Sequence, residues 1–148
     1  MRLPFQDVFS SIAMTDIAPS TGPVPDGRGN PRPRRLLVVD DNQDAANTLA
    51  ELLQILGSEV AVAHDGQAAV GLVAKFEPDI VLLDIGLPDI DGYEVARRIR
   101  RLVGVGQPRL IALTGWGQEQ DKRLAEQAGF DEHWTKPVDP GRLQILAG

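Results

Sequence analysis

The segment Ile80–Arg100, IVLLDIGLPDIDGYEVARRIR, decides the fold. Its opening IVLLD is an apolar run too short for a helix and closed by a carboxylate, the pattern of a strand buried on both faces. The following IGLPDID holds Pro88 and runs into Gly92, so it extends neither a strand nor a helix. Then Val95, Ile99 and Leu102 recur at helical spacing, with Arg97, Arg98, Arg100 and Arg101 expected to face water. A strand, a polar loop and an amphipathic helix in that order make one βα unit.

The same unit repeats on either side. Towards the N-terminus, LLVVD (Leu36–Asp40) predicts a first strand, and Leu49, Leu52, Leu53 and Leu56 mark the inward face of a helix closed by Gly57. Val60–Ala63 predicts a second strand, and Asp65 caps a helix whose inward face is Ala69, Leu72, Val73 and Phe76. Towards the C-terminus, LIALT (Leu110–Thr114) predicts a fourth strand and residues 118–128 a weaker helix ending at Gly129. Glu132–Thr135 is a short fifth strand, with Asp139 and Pro140 suited to start a last helix. Five strands alternating with five helices predict an α/β fold, a doubly wound five-stranded parallel sheet covered on both faces.

The rest of the chain behaves differently. Residues 19–35 read PSTGPVPDGRGNPRPRR, and residues 1–35 hold six of the eleven prolines with no sustained period. Residues 1–34 are therefore expected to be a disordered tail or linker, and 35–148 the folded domain. Arg32, Arg34 and Arg35 read as solvated linker charges rather than an anion-binding arm, and residues 3–17 hold enough apolar side chains for a short amphipathic helix only.

Charge and composition exclude several functions. The net charge of −6 divides into +2 over residues 1–35 and −8 over the remainder, a surface that repels phosphate backbones. With no basic stripe and no helix-turn-helix pattern, direct nucleic-acid binding is not expected. The absence of cysteine excludes thiolate metal sites, disulfides and catalytic thiols. No apolar run approaches the ~20 residues a membrane span requires. The first twenty residues carry Pro4, Asp7, Asp16 and Pro19 and do not read as a secretory signal, so the expected location is cytoplasmic.

Function is read from the strand ends. In an open parallel sheet ligands bind beyond the carboxyl ends of the strands, where the strand order reverses. Asp40 and Asp41 follow strand one, and Asp84 closes strand three. Thr114 closes strand four, and Lys136 follows strand five. With the strand order 2-1-3-4-5, strands one and three are neighbours and their carboxylates share one crevice. Crowded carboxylates need a cation or must stay protonated, and all-oxygen ligation selects a hard ion, Mg²⁺ foremost. Lys136 then offers a charge and Thr114 a hydroxyl to phosphoryl oxygens, and Asp84, on the central strand, is the candidate nucleophile. Singly, each of these residues reads as a turn former, a cap or a solvated side chain. Their joint placement carries the functional reading.

With those residues assembled, the sequence resembles the receiver domain of two-component response regulators from about Arg35 to Leu146. The matching pieces are VVDDN (Val38–Asn42), VLLDIGLPDIDGYEVARRIR (Val81–Arg100), ALTGWG (Ala112–Gly117) and TKPVD (Thr135–Asp139). The resemblance implies a flavodoxin-like (βα)5 fold and a phosphoacceptor that catalyses its own phosphorylation and dephosphorylation without being a turnover enzyme. It implies that Asp84 takes a phosphoryl group from a histidine kinase or a histidine phosphotransfer protein. It implies Mg²⁺ held by Asp41, Asp84 and the Gly86 backbone carbonyl, with Asp40 acting mainly through water. Lys136 would pair with the phosphoryl group and Thr114 would move towards it, reshaping the face of the fourth helix, fifth strand and fifth helix around Arg123, Gln127 and His133. A phosphorylation-dependent protein partner or a homodimer follows from the same likeness, as does a cis Lys136–Pro137 bond.

Two positions depart from the family pattern. His133 stands where the family commonly has Tyr or Phe, which puts the usual threonine–aromatic coupling in question. Trp116 stands at the crevice mouth, and Gly86 has no side chain to position water, so a long-lived phosphoryl state is expected. Trp134 alternates with His133 and is expected to pack, while His64 reads as a loop residue away from the site. Two other readings rank lower. A haloacid-dehalogenase-type phosphohydrolase would carry a second acid where Gly86 stands, and a flavodoxin-like nucleotide binder would not place Asp40 and Asp41 in its phosphate loop. The motif wording looks most like hybrid histidine kinases, so the expected setting is either a stand-alone regulator or the C-terminal receiver of such a kinase. Met1 favours the former.

Overall fold

Five parallel strands, β1 (Arg35–Val39), β2 (Glu59–Ala63), β3 (Ile80–Asp84), β4 (Arg109–Thr114) and β5 (Glu132–Thr135), form one sheet in the order β2-β1-β3-β4-β5. They belong to a computed structural model that describes residues 24–25, 31–102, 104, 106–115 and 119–147. Helices α1 (Gln43–Ile55), α2 (Gly66–Phe76), α3 (Gly92–Arg101), α4 (Glu119–Ala128) and α5 (Pro140–Ala147) alternate with the strands. This is the expected doubly wound flavodoxin-like fold. Among the described residues no helix is long and apolar enough to cross a membrane.

Strand alternation sorts the core into two layers. Leu37, Val39, Val81, Leu83, Leu110 and Ala112 face α2, α3 and α4, meeting Ala69, Val73, Val95, Ile99 and Ala125. Leu36, Val38, Ile80, Leu82, Ile111 and Leu113 face α1 and α5, meeting Ala46, Leu53, Leu143 and Leu146. Truncating one such leucine to alanine costs about 2–5 kcal/mol, whereas the solvent-screened pairs that Glu94 makes with Arg97 and Arg98 contribute far less. The fold therefore rests on the two layers.

The register brings the functional positions level. Val39 pairs with Leu83, so Asp40 and Asp84 leave neighbouring strands side by side. Thr114 pairs with Thr135, which puts Lys136 one residue beyond the same edge.

Several expectations shift. Helix α1 buries Ala46, Ala50 and Leu53, leaving Leu52 45% and Leu56 38% exposed. The small alanines let the helix sit close to the sheet, and the predicted leucine stripe is rotated partly into solvent. Arg100 does not face water: its guanidinium donates to the carbonyls of Gly129 and Pro108 and to Asp131.

Residues just before Arg35 also have partners in the folded domain. Arg32 makes a two-pronged pair with Asp79, both distances 3.0 Å, and Arg34 is buried. The backbone N–H of Arg35 donates to the same Asp79 carboxylate, and its guanidinium pairs with Glu59. Those partners, absent from any local reading, turn the expected linker charges into anchors. A two-residue antiparallel ladder also joins Val24–Pro25 to Pro31–Arg32. The rest of the expected tail, including residues 3–17, lies outside the described residues, as does Trp116.

Candidate functional site

The crevice lies where β1 and β3 end. Asn42 caps α1 by accepting from the Ala45 N–H, and its own N–H donates to Asp40 Oδ1 at 3.0 Å. The turn therefore holds Asp40 inward, almost fully buried, while Asp41 is exposed and Asp84 half-buried. Carboxylate oxygens of Asp40, Asp41 and Asp84 all lie within 4.8 Å of one another. Lys136 reaches in from the end of β5, its Nζ 3.0 Å from Asp84 Oδ2 and 3.3 Å from Asp40 Oδ2. The Lys136–Pro137 peptide is cis. Asp84 Oδ1 accepts from the Gly86 N–H at 2.9 Å.

The electrostatics follow from this crowding. Burial pushes the Asp40 carboxyl above its ordinary value of 3.8, with the charge of Asp84 adding to it. The Asn42 N–H and Lys136 oppose the shift without cancelling it. For Lys136, burial acts to lower the pKa, but the hydrogen bonds and charges of Asp84 and Asp40 outweigh it and hold the ammonium form. The cluster thus presents more negative charge than one lysine offsets, and every ligand atom is oxygen. Such a donor set fits a hard divalent cation.

A stability prediction follows. The folded state holds the Asp40 proton more tightly than the unfolded chain does. The corresponding stability is present below the ordinary value of 3.8 and is lost as pH rises through the raised value. Ionised Asp40 is then a net cost at neutral pH in a chelator. Asp40→Asn is expected to raise the melting temperature at pH 7 in EDTA, with the two proteins converging below about pH 4. Thermal scans across pH check this, and a lower melting temperature for the variant at pH 7 would contradict it.

Thr114 is 3% exposed, and its Oγ1 lies 3.2 Å from His133 Nε2. The register explains the meeting: Ala112 pairs with His133, so Thr114 and His133 share the α4 side of the sheet. A polar contact thus occupies the place of the questioned aromatic coupling. Trp134, on the other face, is buried as expected, with its Nε1 donating to Glu132.

The structure therefore assembles Asp40, Asp41, Asp84 and Lys136, with Gly86 hydrogen-bonded to Asp84, and sets Thr114 beside His133. It corrects one expectation. His64 is not remote: its Nδ1 lies 3.1 Å from the Asp40 carbonyl oxygen. A signal existed, since strand order 2-1-3 puts the end of β2 beside the end of β1. Asp89 was also passed over, although its carboxylate accepts from the N–H groups of Gly66 and Gln67.

Comparison with known proteins now bears on this geometry. The sequence model of the response regulator receiver domain matches residues 36–147. An uncharacterized 14.6 kDa protein from the sodA1 3′ region of Leptolyngbya boryana is 36% identical over 108 residues, covering 73% of this chain and 82% of that protein. A putative response regulator from Chloroflexus aurantiacus superposes with a TM-score of 0.70 at 33% identity, covering 79% of this chain and all of the other. The receiver domain of the Saccharomyces cerevisiae response regulator Ssk1, crystallised with the histidine phosphotransfer protein Ypd1, superposes with a TM-score of 0.68 at 27% identity. That match covers 75% of this chain and 84% of the other. The match spans the sheet, all five helices and each strand end that carries the acidic cluster, the threonine and the lysine, and the chain belongs to the response regulator receiver domain family.

Proposed function

We propose that this receiver domain accepts a phosphoryl group on Asp84 in a two-component phosphorelay, with Mg²⁺ at the acidic cluster. The observation that carries this reading is Lys136 Nζ bridging Asp84 and Asp40, with Asp41 inside the same 4.8 Å cluster. Asp41, Asp84 and the Gly86 carbonyl would hold the cation, with Asp40 acting through water. The cation supplies neutralisation of the carboxylates and of the transferring phosphoryl oxygens.

The remaining chemistry belongs to the chain. An Asp84 carboxylate oxygen attacks the phosphorus of a phosphohistidine; the new O–P bond forms as the P–N bond breaks, and the imidazole leaves. Lys136 passes from the Asp84 carboxylate to a phosphoryl oxygen. Thr114 gives up His133 to donate its hydroxyl to another oxygen, and the released imidazole changes the α4–β5–α5 face around Arg123 and Gln127. A protein partner or a second copy reads that face. The phosphoryl group is long-lived, since Gly86 offers no side chain to orient a water. The protein acts in the cytoplasm, either as a stand-alone regulator or as a receiver derived from a hybrid kinase.

The donor is a histidine kinase or a histidine phosphotransfer protein. The complex of the similar yeast receiver with such a protein supports this, as does a cleft running from Asp40 and Lys136 past Ala45, Leu49 and Leu52 to Val138 and Leu143. Leu52 opens half-exposed on that cleft. Leu52→Asp is therefore expected to slow uptake from a phosphohistidine protein that labels the wild type by about tenfold, a loss of about 1.4 kcal/mol at the transition state. Uptake from acetyl phosphate is expected to stay unchanged, and equal slowing with both donors would count against the cleft as the docking surface.

The function itself is tested by intact mass after incubation with Mg²⁺ and acetyl phosphate. A gain of about 80 Da, one phosphoryl group, is expected, and it disappears when EDTA replaces Mg²⁺. No gain with any phosphohistidine or acyl phosphate donor overturns the proposal.

A further inference from the structure

The loop Ile85–Asp91 connects Asp84 to α3 and carries Gly86. Its far end is fixed to the molecule by an unusual use of a helix start. The first N–H groups of a helix have no intrahelical acceptors. In α2, Asp65 accepts from Ala68 at 2.8 Å, and Asp89 of the loop accepts from Gly66 at 2.8 Å and from Gln67 at 3.1 Å. Carboxylates are favoured there by the helix dipole as well. Those N–H groups hold the Asp89 carboxyl below the ordinary range.

Packing repeats the attachment. Ile90 and Val95 crowd Gly66 so closely that a Cβ on the glycine would meet Ile90 Cγ1 at 2.5 Å and Val95 Cγ2 at 2.7 Å. One residue before α2's cap, His64 Nδ1–H donates to the Asp40 carbonyl. The turn between β2 and α2 therefore touches both acid-bearing loops: the Asp40–Asp41 loop through His64, and the Asp84–Gly86 loop through Asp89 and Ile90.

We propose that Asp89 is a positioning residue for phosphoryl acceptance: by fastening the phosphoacceptor loop to the start of α2, it sets the distance between the Asp84–Gly86 ligands and the Asp40–Asp41 pair. This rests on the phosphoacceptor reading above. Asp89 lies five residues beyond the nucleophile and touches neither cation nor phosphoryl group; it acts through the loop. Because Gly86 sits between Asp84 and this anchor, loosening the anchor widens the range of positions open to its carbonyl. Cation affinity is then lost before chemistry is.

The test uses Asp89→Asn, whose amide can accept from one of the two N–H groups but turns a donor on the other. Asp131→Asn serves as the control, since Asp131 holds Arg100 and the Leu110 N–H at the opposite end of the sheet. In the metal-free protein, amide exchange at Gly66 and Gln67 is expected to quicken in Asp89→Asn and not in the control. Mg²⁺ affinity is expected to fall about tenfold, the low end of losses for groups that orient ligands. The Mg²⁺ concentration for half-maximal labelling by acetyl phosphate should rise by the same factor, with the rate at saturating Mg²⁺ within about twofold of wild type. A merely structural role would lower the melting temperature of both variants and leave Mg²⁺ affinity untouched. That result, or a rate not recovered by saturating Mg²⁺, overturns the proposal. If the wild type takes up neither Mg²⁺ nor a phosphoryl group, the phosphoacceptor reading fails and the role of Asp89 in it fails too. Unchanged exchange at Gly66 and Gln67 would instead sink the anchor alone.

Discussion

Asp84→Asn is expected to take up no phosphoryl group under conditions in which the proposed phosphoacceptor role of Asp84 would add about 80 Da to the wild type. The amide is nearly isosteric and keeps an oxygen for the Gly86 N–H, so the loop has no reason to move. What it lacks is a nucleophilic oxygen, and no neighbour replaces it. Asp40 is buried, with one oxygen on the Asn42 N–H and the other on Lys136, and Asp41 is exposed at the rim. Lys136 keeps Asp40 as a partner in the variant, so its ammonium is not stranded. The expected outcome is a folded protein with unchanged circular dichroism and complete loss of labelling. Peptide mapping decides the matter: a phosphoryl group persisting on another residue would show that the nucleophile is misassigned.

A large stability effect is expected at Gly92, the first residue of α3. Its N–H donates to the Ile85 carbonyl, which pinches the Ile85–Asp91 loop shut. A Cβ there would lie 2.4 Å from Ile85 Cα and 2.7 Å from Ile85 Cγ2. The first of these is a backbone atom of the residue after Asp84, and it cannot turn aside as a side chain would. Gly92→Ala is therefore expected to cost about 3 kcal/mol, lowering the melting temperature by more than about 10 °C. Labelling should also slow, because relief requires Ile85 and hence Asp84 to shift. Gly71→Ala provides the contrast. Gly71 is exposed in the interior of α2 with nothing within 4 Å of its Cβ position, so alanine should stabilise by about 0.5–1 kcal/mol. Equal melting temperatures for Gly92→Ala and the wild type would refute the close approach.

The contrast between these two sites shows what a sequence can and cannot declare. Asp40, Asp84, Thr114 and Lys136 were legible because strand order alone decides which strand ends adjoin, and apolar runs locate those ends well. The central strands were legible for the same reason: being buried on both faces, they need no partner to be identified. Helix α1 was read less well, since hydropathy weights Leu52 and Leu56 above Ala46 and Ala50, whereas close packing prefers the small residues. Arg32, His64, Asp89 and Arg100 were misread or passed over for a common reason. Each acts through a partner from 23 to 47 positions away in the chain, and nothing local distinguishes such a residue from a solvated one.

The two ends of the sheet treat carboxylates in opposite ways. Where the strands begin, Asp79 is matched by Arg32, Glu59 by Arg35, Asp131 by Arg100 and Glu132 by Arg109. Where they finish, Asp40 and Asp84 share Lys136, with Asp41 beside them. The molecule is therefore electrically polar along the strand direction, compensated at one pole and electron-rich at the other. A cation or a basic partner surface drifting nearby is drawn to the pole that holds Asp84 before it touches any residue. The positive starts of the helices ring that same pole and oppose part of the field at short range. Attraction at a distance and tolerance of an arriving anion up close thus come from the same end of one sheet.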